Sequence, residues 1–186
     1  MPKANKKQRH QAKRKAKQKA TQRRESGSPI KRLAAARGEV VCWMSEGFGV
    51  LGQMQAFVYK RAGGTSGMAC FLIDRGVVGL KDAWTRMNVG QREFQEMIEL
   101  SASRGIRMRR AAVDEVQRWV AAGIRWASEN GMRLPKDMAK TTLLIGGVGD
   151  WEAADVSAFA KEFAGHPDDL RQRLIGEPFE SYIRRG

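Results

Sequence analysis

Long hydrophobic runs are missing from this sequence, and no apolar segment approaches the roughly 18 residues that a transmembrane helix needs. A secretory signal needs a hydrophobic core soon after its basic start, and none follows Met1 before residue 40. These absences argue against a membrane-spanning or secreted chain. We therefore expect an intracellular, cytoplasmic protein with no membrane partner.

Cysteine and histidine are scarce, with two of each in 186 residues. Two cysteines cannot build a disulfide framework, and Cys42 and Cys70 lie in apolar stretches, so we predict buried free thiols. His10 and His166 lie far apart in the chain, and no cluster of His, Cys or carboxylate ligands has the spacing of a metal site. The sequence predicts no metal and no cofactor.

Acidic residues are nearly absent from residues 1–37, which hold 14 Lys and Arg against Glu25 alone. The rest of the chain holds 20 Lys and Arg against 19 Asp and Glu, so almost all of the net charge of +14 lies in this segment. Because its first 24 residues also lack large aliphatic side chains after Met1, little could offset the entropy of ordering them. We predict a basic, largely disordered arm and linker over residues 1–37.

Residues 38–186 are predicted to form a single α+β domain, with a sub-boundary near 132–150. Strand-length apolar segments at 40–44, 54–60 and 68–73 predict a small antiparallel sheet over about 40–80, with 77–80 a fourth strand or a bend. A helix capped by Asn88 is expected to run through Ser103. The spacing of Val113, Val116, Val120 and Ile124 predicts another, which ends at 130–131. Later helices are expected from about 137, 156 and 168, and strands before helices indicate the α+β class.

One group of carboxylates and a lysine has the residue types of a metal-dependent nuclease site. Asp74 ends a predicted strand and Lys81-Asp82 follows the next apolar run, as in nucleases that hold a divalent ion between acids on neighbouring strands. The structural alternative, which we favour, is that Asp74 stabilises a turn and Asp82 caps a helix through Ala83 and Trp84. We therefore assign no catalytic residue.

The segments FLID at 71–74 and GLKDA at 79–83 resemble a motif of uncharacterised bacterial proteins, which pair an FL[VI]D…G[VL]KDA hairpin with a lysine-rich N-terminus. The chain departs from that motif at 76–78, where a Cys before Gly is expected. The resemblance implies a hairpin and a bacterial source. It implies no activity.

The basic residues point to nucleic acid, because dense Lys and Arg neutralise phosphates and release counterions without exact geometry. The arm has no aromatic residue, so base stacking and sequence-specific recognition are not expected of it, and it is similar to the extensions of ribosomal proteins. Four arginines in a predicted loop between two helices would extend its contacts. The predicted nucleic-acid-binding residues are Lys3, Lys6, Lys7, Arg9, Lys13, Arg14, Lys15, Lys17, Lys19, Arg23, Arg24, Arg104, Arg107, Arg109 and Arg110.

The leading hypothesis is a non-enzymatic RNA-associated protein, such as one bound to the ribosome or the nucleoid, with RNA favoured over DNA. Two alternatives stay open. One is a metal-dependent nucleic-acid-processing enzyme that uses Asp74 and Asp82. The other is a protein–protein interaction module in which the arm is a solvated tail or a strip for an acidic partner.

Overall fold

A computed structural model describes residues 27–48 and 52–159. Most of the predicted arm, residues 1–26, and the helix predicted from Asp168 lie outside the described residues. The elements are α1 (Pro29–Ala35), β1 (Glu39–Ser45), β2 (Gln53–Ala62), β3 (Thr65–Asp74), β4 (Gly79–Met87), α2 (Gln91–Ser103), β5 (Met108–Ala111), α3 (Val113–Glu129), α4 (Met138–Thr141), and two 3-10 turns, Thr142–Ile145 and Trp151–Ala153.

The five strands form one antiparallel sheet in the order β4-β3-β2-β1-β5. The β2–β3 hairpin turns through Gly63 and Gly64, whose φ angles of 54° and 77° suit the two-residue turn that the twist of paired strands favours. Together with the helices, this sheet confirms the predicted α+β class.

The sheet is larger than the predicted span of 40–80. β4 continues to Met87, so Asp82, Ala83 and Trp84 lie in a strand and the helix that we expected Asp82 to cap does not form. Pairing with β3 decides this, because it places Ala83 opposite Phe71 in one core and Trp84 opposite Cys70 on the other face. A fifth strand, β5, was not predicted.

Helices cover both faces of the sheet. On the first face, α1, α3 and the segment after α3 pack on a core that includes Val58, Phe71 and Ile124. On the second face, α2 contributes Phe94 and Ile98, which pack against side chains of β2 and β3. Helix α3 matches its predicted bounds. Helix α2 begins at Gln91, and its N-cap is Gly90, two residues later than the predicted cap Asn88.

Helix α1 is part of this fold, although its residues were predicted to belong to the arm. Ile30 and Leu33 are 3% and 2% exposed in the first core, and Ser28 caps the helix by accepting from the backbone N–H of Lys31. At the other end, Lys60 Nζ donates to the carbonyl oxygen of Ala34 at 2.6 Å. Residues 28–35, which were predicted to belong to the arm, are therefore part of the described fold.

Helix α3 approaches the start of β4 very closely. A Cβ atom on Gly79 would lie 2.3 Å from the carbonyl oxygen of Gly123, and Gly79 has a φ of 73°. Both facts require glycine there. In the described part of the chain, no helix is long and apolar enough to cross a lipid bilayer.

Candidate nucleic-acid interface

Four arginines lie between the end of α2 and the end of β5, and we call them the arginine patch: Arg104, Arg107, Arg109 and Arg110. The prediction that all four lie in a loop was wrong for Arg109 and Arg110. These two residues belong to β5, opposite Met44 and Trp43 of β1. β5 is an edge strand, because among the described residues it pairs with β1 alone.

Strand pairing sends Arg109 and Arg110 to opposite faces of the sheet. Arg109 lies on the side of α3 and forms a two-bond ion pair with Glu115, one bond of which, from Nη1 to Oε2, is 3.1 Å long. The pair lowers the pKa of Glu115 and raises that of Arg109, mainly through the hydrogen bonds between the two side chains. The charge of Arg109 is therefore balanced by Glu115 of the same chain.

Arg110 lies on the side of α2, where its guanidinium group is stacked over the ring of Trp43 at 5.0 Å from the centroid. The arginine is exposed and the tryptophan is half-buried. Such a cation–π contact holds a flexible side chain in place without neutralising its charge. The planar guanidinium group thus stays available to an anion.

Arg104 and Arg107 are exposed as well, and neither forms an ion pair with a described residue. Arg107 follows α2, and its carbonyl oxygen accepts from the backbone N–H of Glu46 at 2.8 Å, which extends the pairing of β1 and β5. Three of the four patch arginines therefore carry a positive charge that no described acid pairs with.

Several other surface arginines form ion pairs. Arg61 pairs with Glu39, Arg92 with Glu96 and Arg118 with Asp114 at distances of 3.0, 3.0 and 2.8 Å. An arginine beside a carboxylate adds little to the local potential. Arg32, Arg37 and Arg133 are also exposed and form no ion pair with a described residue, so the patch is distinguished by having three such arginines within seven residues beside the edge strand β5.

Comparisons with known proteins identified no relative of the chain. No protein-family model, curated protein or solved structure matches the chain.

The eleven arm residues predicted to bind nucleic acid, from Lys3 to Arg24, lie outside the described residues. Of the predicted site, the structure thus describes the four arginines of the patch. Sequence reasoning identified the patch but missed the Glu115 partner and the Trp43 stack. Both depend on the register of β5 with β1, which no local pattern signals.

Asp74 and Asp82, the two acids of the alternative enzyme hypothesis, differ in burial: Asp74 is buried and Asp82 is exposed. Asp74 is 3% exposed, and its Oδ1 accepts from the backbone N–H groups of Gly76 and Val77 at 3.0 and 2.8 Å. It therefore stabilises the β3–β4 turn, which is the structural alternative that we favoured. Asp82 is exposed on β4 and accepts from the N–H of Ala83 at 2.8 Å. In the part of the chain that is described, no three His, Cys, Asp or Glu residues are grouped so that they could hold a metal ion.

The two cysteines are buried free thiols, as predicted. They lie on opposite faces of the sheet, Cys42 in the first core and Cys70 in the second. Burial raises the pKa of Cys42 to about 11 and that of Cys70 to about 12. Neither thiol has the low pKa of a nucleophile.

Proposed function

We propose that the protein is a non-enzymatic RNA-associated protein of the bacterial cytoplasm, such as one bound to the ribosome or the nucleoid. The arm and the arginine patch are its RNA contacts. The observation that carries the proposal is the presence of three exposed arginines, Arg104, Arg107 and Arg110, within the seven residues from the end of α2 to β5, without an acidic partner among the described residues. The arm adds 11 Lys and Arg and no acid in its first 24 residues.

The two basic elements join the fold at different ends of β1. The arm leads into α1, and β1 begins at Glu39, which pairs with Arg61, whereas its last residue, Ser45, pairs with Met108 beside the patch. Seven strand residues separate these ends by roughly 20 Å. A flexible chain of about 28 residues reaches roughly 30 Å. An arm with that freedom could therefore bind phosphates well beyond those that the patch contacts.

RNA is favoured over DNA because the patch offers flat groups and not a regular array for a duplex groove. Single-stranded RNA is bound by stacking bases or sugars on aromatic rings and guanidinium planes, with phosphates held by Lys and Arg. The Arg110–Trp43 stack supplies such a plane at the edge of the sheet. No element of the patch is a helix exposed for insertion into a major groove, since α2 ends where the patch begins.

The test is fluorescence anisotropy of labelled single-stranded RNA at several salt concentrations, with the full chain and three variants. One variant lacks residues 1–26, and a second carries Arg104→Ala, Arg107→Ala and Arg110→Ala. The third is a matched control with Arg61→Ala, Arg92→Ala and Arg118→Ala, which removes the same charge from arginines that already have acidic partners.

Each phosphate contact contributes about −0.7 to the slope of log K against log salt for single strands. We expect removal of the arm to reduce the magnitude of the slope most, the patch variant to reduce it by about 2 and the control variant to leave it nearly unchanged. Scrambling residues 3–24 should preserve most of the affinity, because charge density and not order supplies this energy. Equal loss in the patch and control variants would mean that net charge alone attracts RNA.

Incubation of the same RNA with the full chain and with two further variants, Asp74→Asn and Asp82→Asn, separates the alternatives. Mg²⁺- or Mn²⁺-dependent cleavage of RNA that Asp74→Asn or Asp82→Asn abolishes would favour the enzyme. A chain that retards no polynucleotide at low salt would refute the proposal and leave the interaction module.

A further inference from the structure

A small cleft lies between α2 and the second face of the sheet, immediately beside the arginine patch. Its volume is about 190 Å³, well below the roughly 300–1,000 Å³ of pockets that hold drug-sized ligands. Arg104 belongs both to the rim of this cleft and to the patch. A ligand in the cleft could therefore be one small group of a longer anion that continues over the patch.

The floor of the cleft is built from two cross-strand rows. In one row Gln55 of β2, Leu72 of β3 and Asp82 of β4 are direct neighbours, and in the next row Cys70 pairs with Trp84. Adjacent strands lie about 4.8 Å apart, so the backbones of Gln55 and Asp82 are separated by roughly 10 Å with apolar Leu72 between them. A flat ring on Leu72 would thus have an amide at one edge and a carboxylate at the other.

The polar groups at these two edges have complementary hydrogen-bonding capacity. Ser101 Oγ lies 3.1 Å from Gln55 Oε1 and 3.2 Å from the carbonyl oxygen of Met97, and it donates its one proton to one of these two oxygens; Gln55 Nε2 donates to no described residue. Asp82 is exposed, and its Oδ2 accepts from no described residue. Burial, and to a smaller degree the Asp82 carboxylate, raise the pKa of Cys70 to about 12, which agrees with a carboxylate close to the cleft floor.

The walls of the cleft suit an aromatic ligand. Trp84 is half-buried on β4, and Leu100 of α2 is 45% exposed, which makes it the one large apolar side chain so exposed among the described residues. Arg104 on the rim forms no ion pair with a described residue. An aromatic wall, an acceptor, a donor and an unpaired cation together match a nucleotide.

We propose that this cleft binds one unstacked guanine base of the RNA, with Asp82 accepting from the base N1–H and N2 amino group, Gln55 donating to its N7 or O6 edge, and Arg104 contacting the adjacent phosphate. Guanine is the base that presents two neighbouring donors to a carboxylate, whereas each of the other three places an acceptor beside its donor. Bases in unpaired RNA are bound in this way, by stacking and by hydrogen bonds along their edges. The inference rests on the proposed function, because it names the nucleotide that an RNA contact at the patch would include.

The first test compares labelled nine-nucleotide RNAs by anisotropy: all uridine, and uridine with a central guanosine, adenosine or inosine, which lacks the 2-amino group. We expect guanosine to raise the affinity about tenfold or more over all-uridine RNA, inosine to raise it less, and adenosine to add little. Asp82→Asn should abolish the guanosine preference while all-uridine RNA still binds. This variant keeps the carbonyl that accepts from Ala83.

The matched control is Asp150→Asn, which removes the same charge from another exposed aspartate. It should leave the guanosine preference intact. If the full chain binds all-uridine RNA but gains nothing from guanosine, the inference fails and the proposed function stands. An equal loss of preference in both variants would also overturn the inference, because net charge would then explain it.

A second measurement does not depend on the arm or on RNA affinity. Titration with millimolar GMP, followed by amide NMR shifts, should perturb residues near 82–84 and 100–104 in the full chain, and AMP should perturb them several-fold less. Asp82→Asn should remove the difference. Shifts that are equal for GMP and AMP, or that fall outside these segments, would refute guanine binding in the cleft, whether or not the chain binds RNA.

Discussion

The guanidinium group of Arg110 lies 5.0 Å from the centre of the Trp43 ring, directly across the pairing of β5 with β1. We expect this contact to contribute about 0.5–1 kcal/mol to the free energy of unfolding, the range of exposed cation–π pairs. A double-mutant cycle with Arg110→Ala and Trp43→Leu, measured by urea unfolding, would give this coupling, because leucine has no aromatic face. Arg107→Ala combined with Trp43→Leu is the control and should show none.

Asp74 stabilises the β3–β4 turn, so its replacement should cost stability whatever the protein binds. Asp74→Ala leaves the backbone N–H of buried Val77 without its acceptor, which costs about 1–3 kcal/mol, and the Gly76 bond is lost as well. Asp74→Asn keeps an acceptor oxygen and should cost less. Urea unfolding of the three proteins measures the difference, and an unchanged midpoint in Asp74→Ala would contradict this role.

The two thiols should be unreactive in the folded protein. With pKa values of about 11 and about 12, Cys42 and Cys70 are almost wholly protonated at pH 8, and both are buried. We expect Ellman's reagent to titrate neither thiol in the native state and both in 6 M guanidinium chloride. An Ala139→Cys variant, with one exposed thiol, is the control and should react once in the native state.

The Arg109–Glu115 pair should make stability depend on pH in the acid range. The folded protein lowers the pKa of Glu115, so between the folded value and the ordinary value of 4.5 the unfolded chain binds more protons. The pair therefore stabilises fully above pH 4.5, and this contribution is lost as the pH falls through the folded pKa.

Because both side chains are partly exposed, the contribution is expected to be about 0.5–1 kcal/mol at neutral pH. Glu115→Gln should destabilise the protein by that amount in urea unfolding at pH 7 and by much less near pH 2. Glu152→Gln, at an exposed acid that forms no ion pair with a described residue, should show no such pH dependence. A Glu115→Gln effect that is the same at both pH values would mean that packing, not charge, is responsible.

The sequence by itself determined the separation of charge between the first 37 residues and the rest, the α+β class and the helix α3. Each is local or additive: charges are counted, and the spacing of Val113, Val116, Val120 and Ile124 repeats on one helix face. The hairpin of β2 and β3 was predictable for the same reason, since Gly63 and Gly64 separate two apolar strands.

Only the tertiary structure decided the parts that matter for the site. β5 holds Met108, Arg109, Arg110 and Ala111, which carry no strand pattern, and it forms because β1 offers an open edge more than 60 residues earlier in the chain. That register alone brings Arg110 over Trp43 and turns Arg109 toward Glu115. In the same way Asp82 reaches the α2 cleft because β3 pairs with β4, whereas its local sequence suggested a helix cap. Pairing between distant segments sets the face on which each side chain lies, and this pairing cannot be predicted from composition or local sequence.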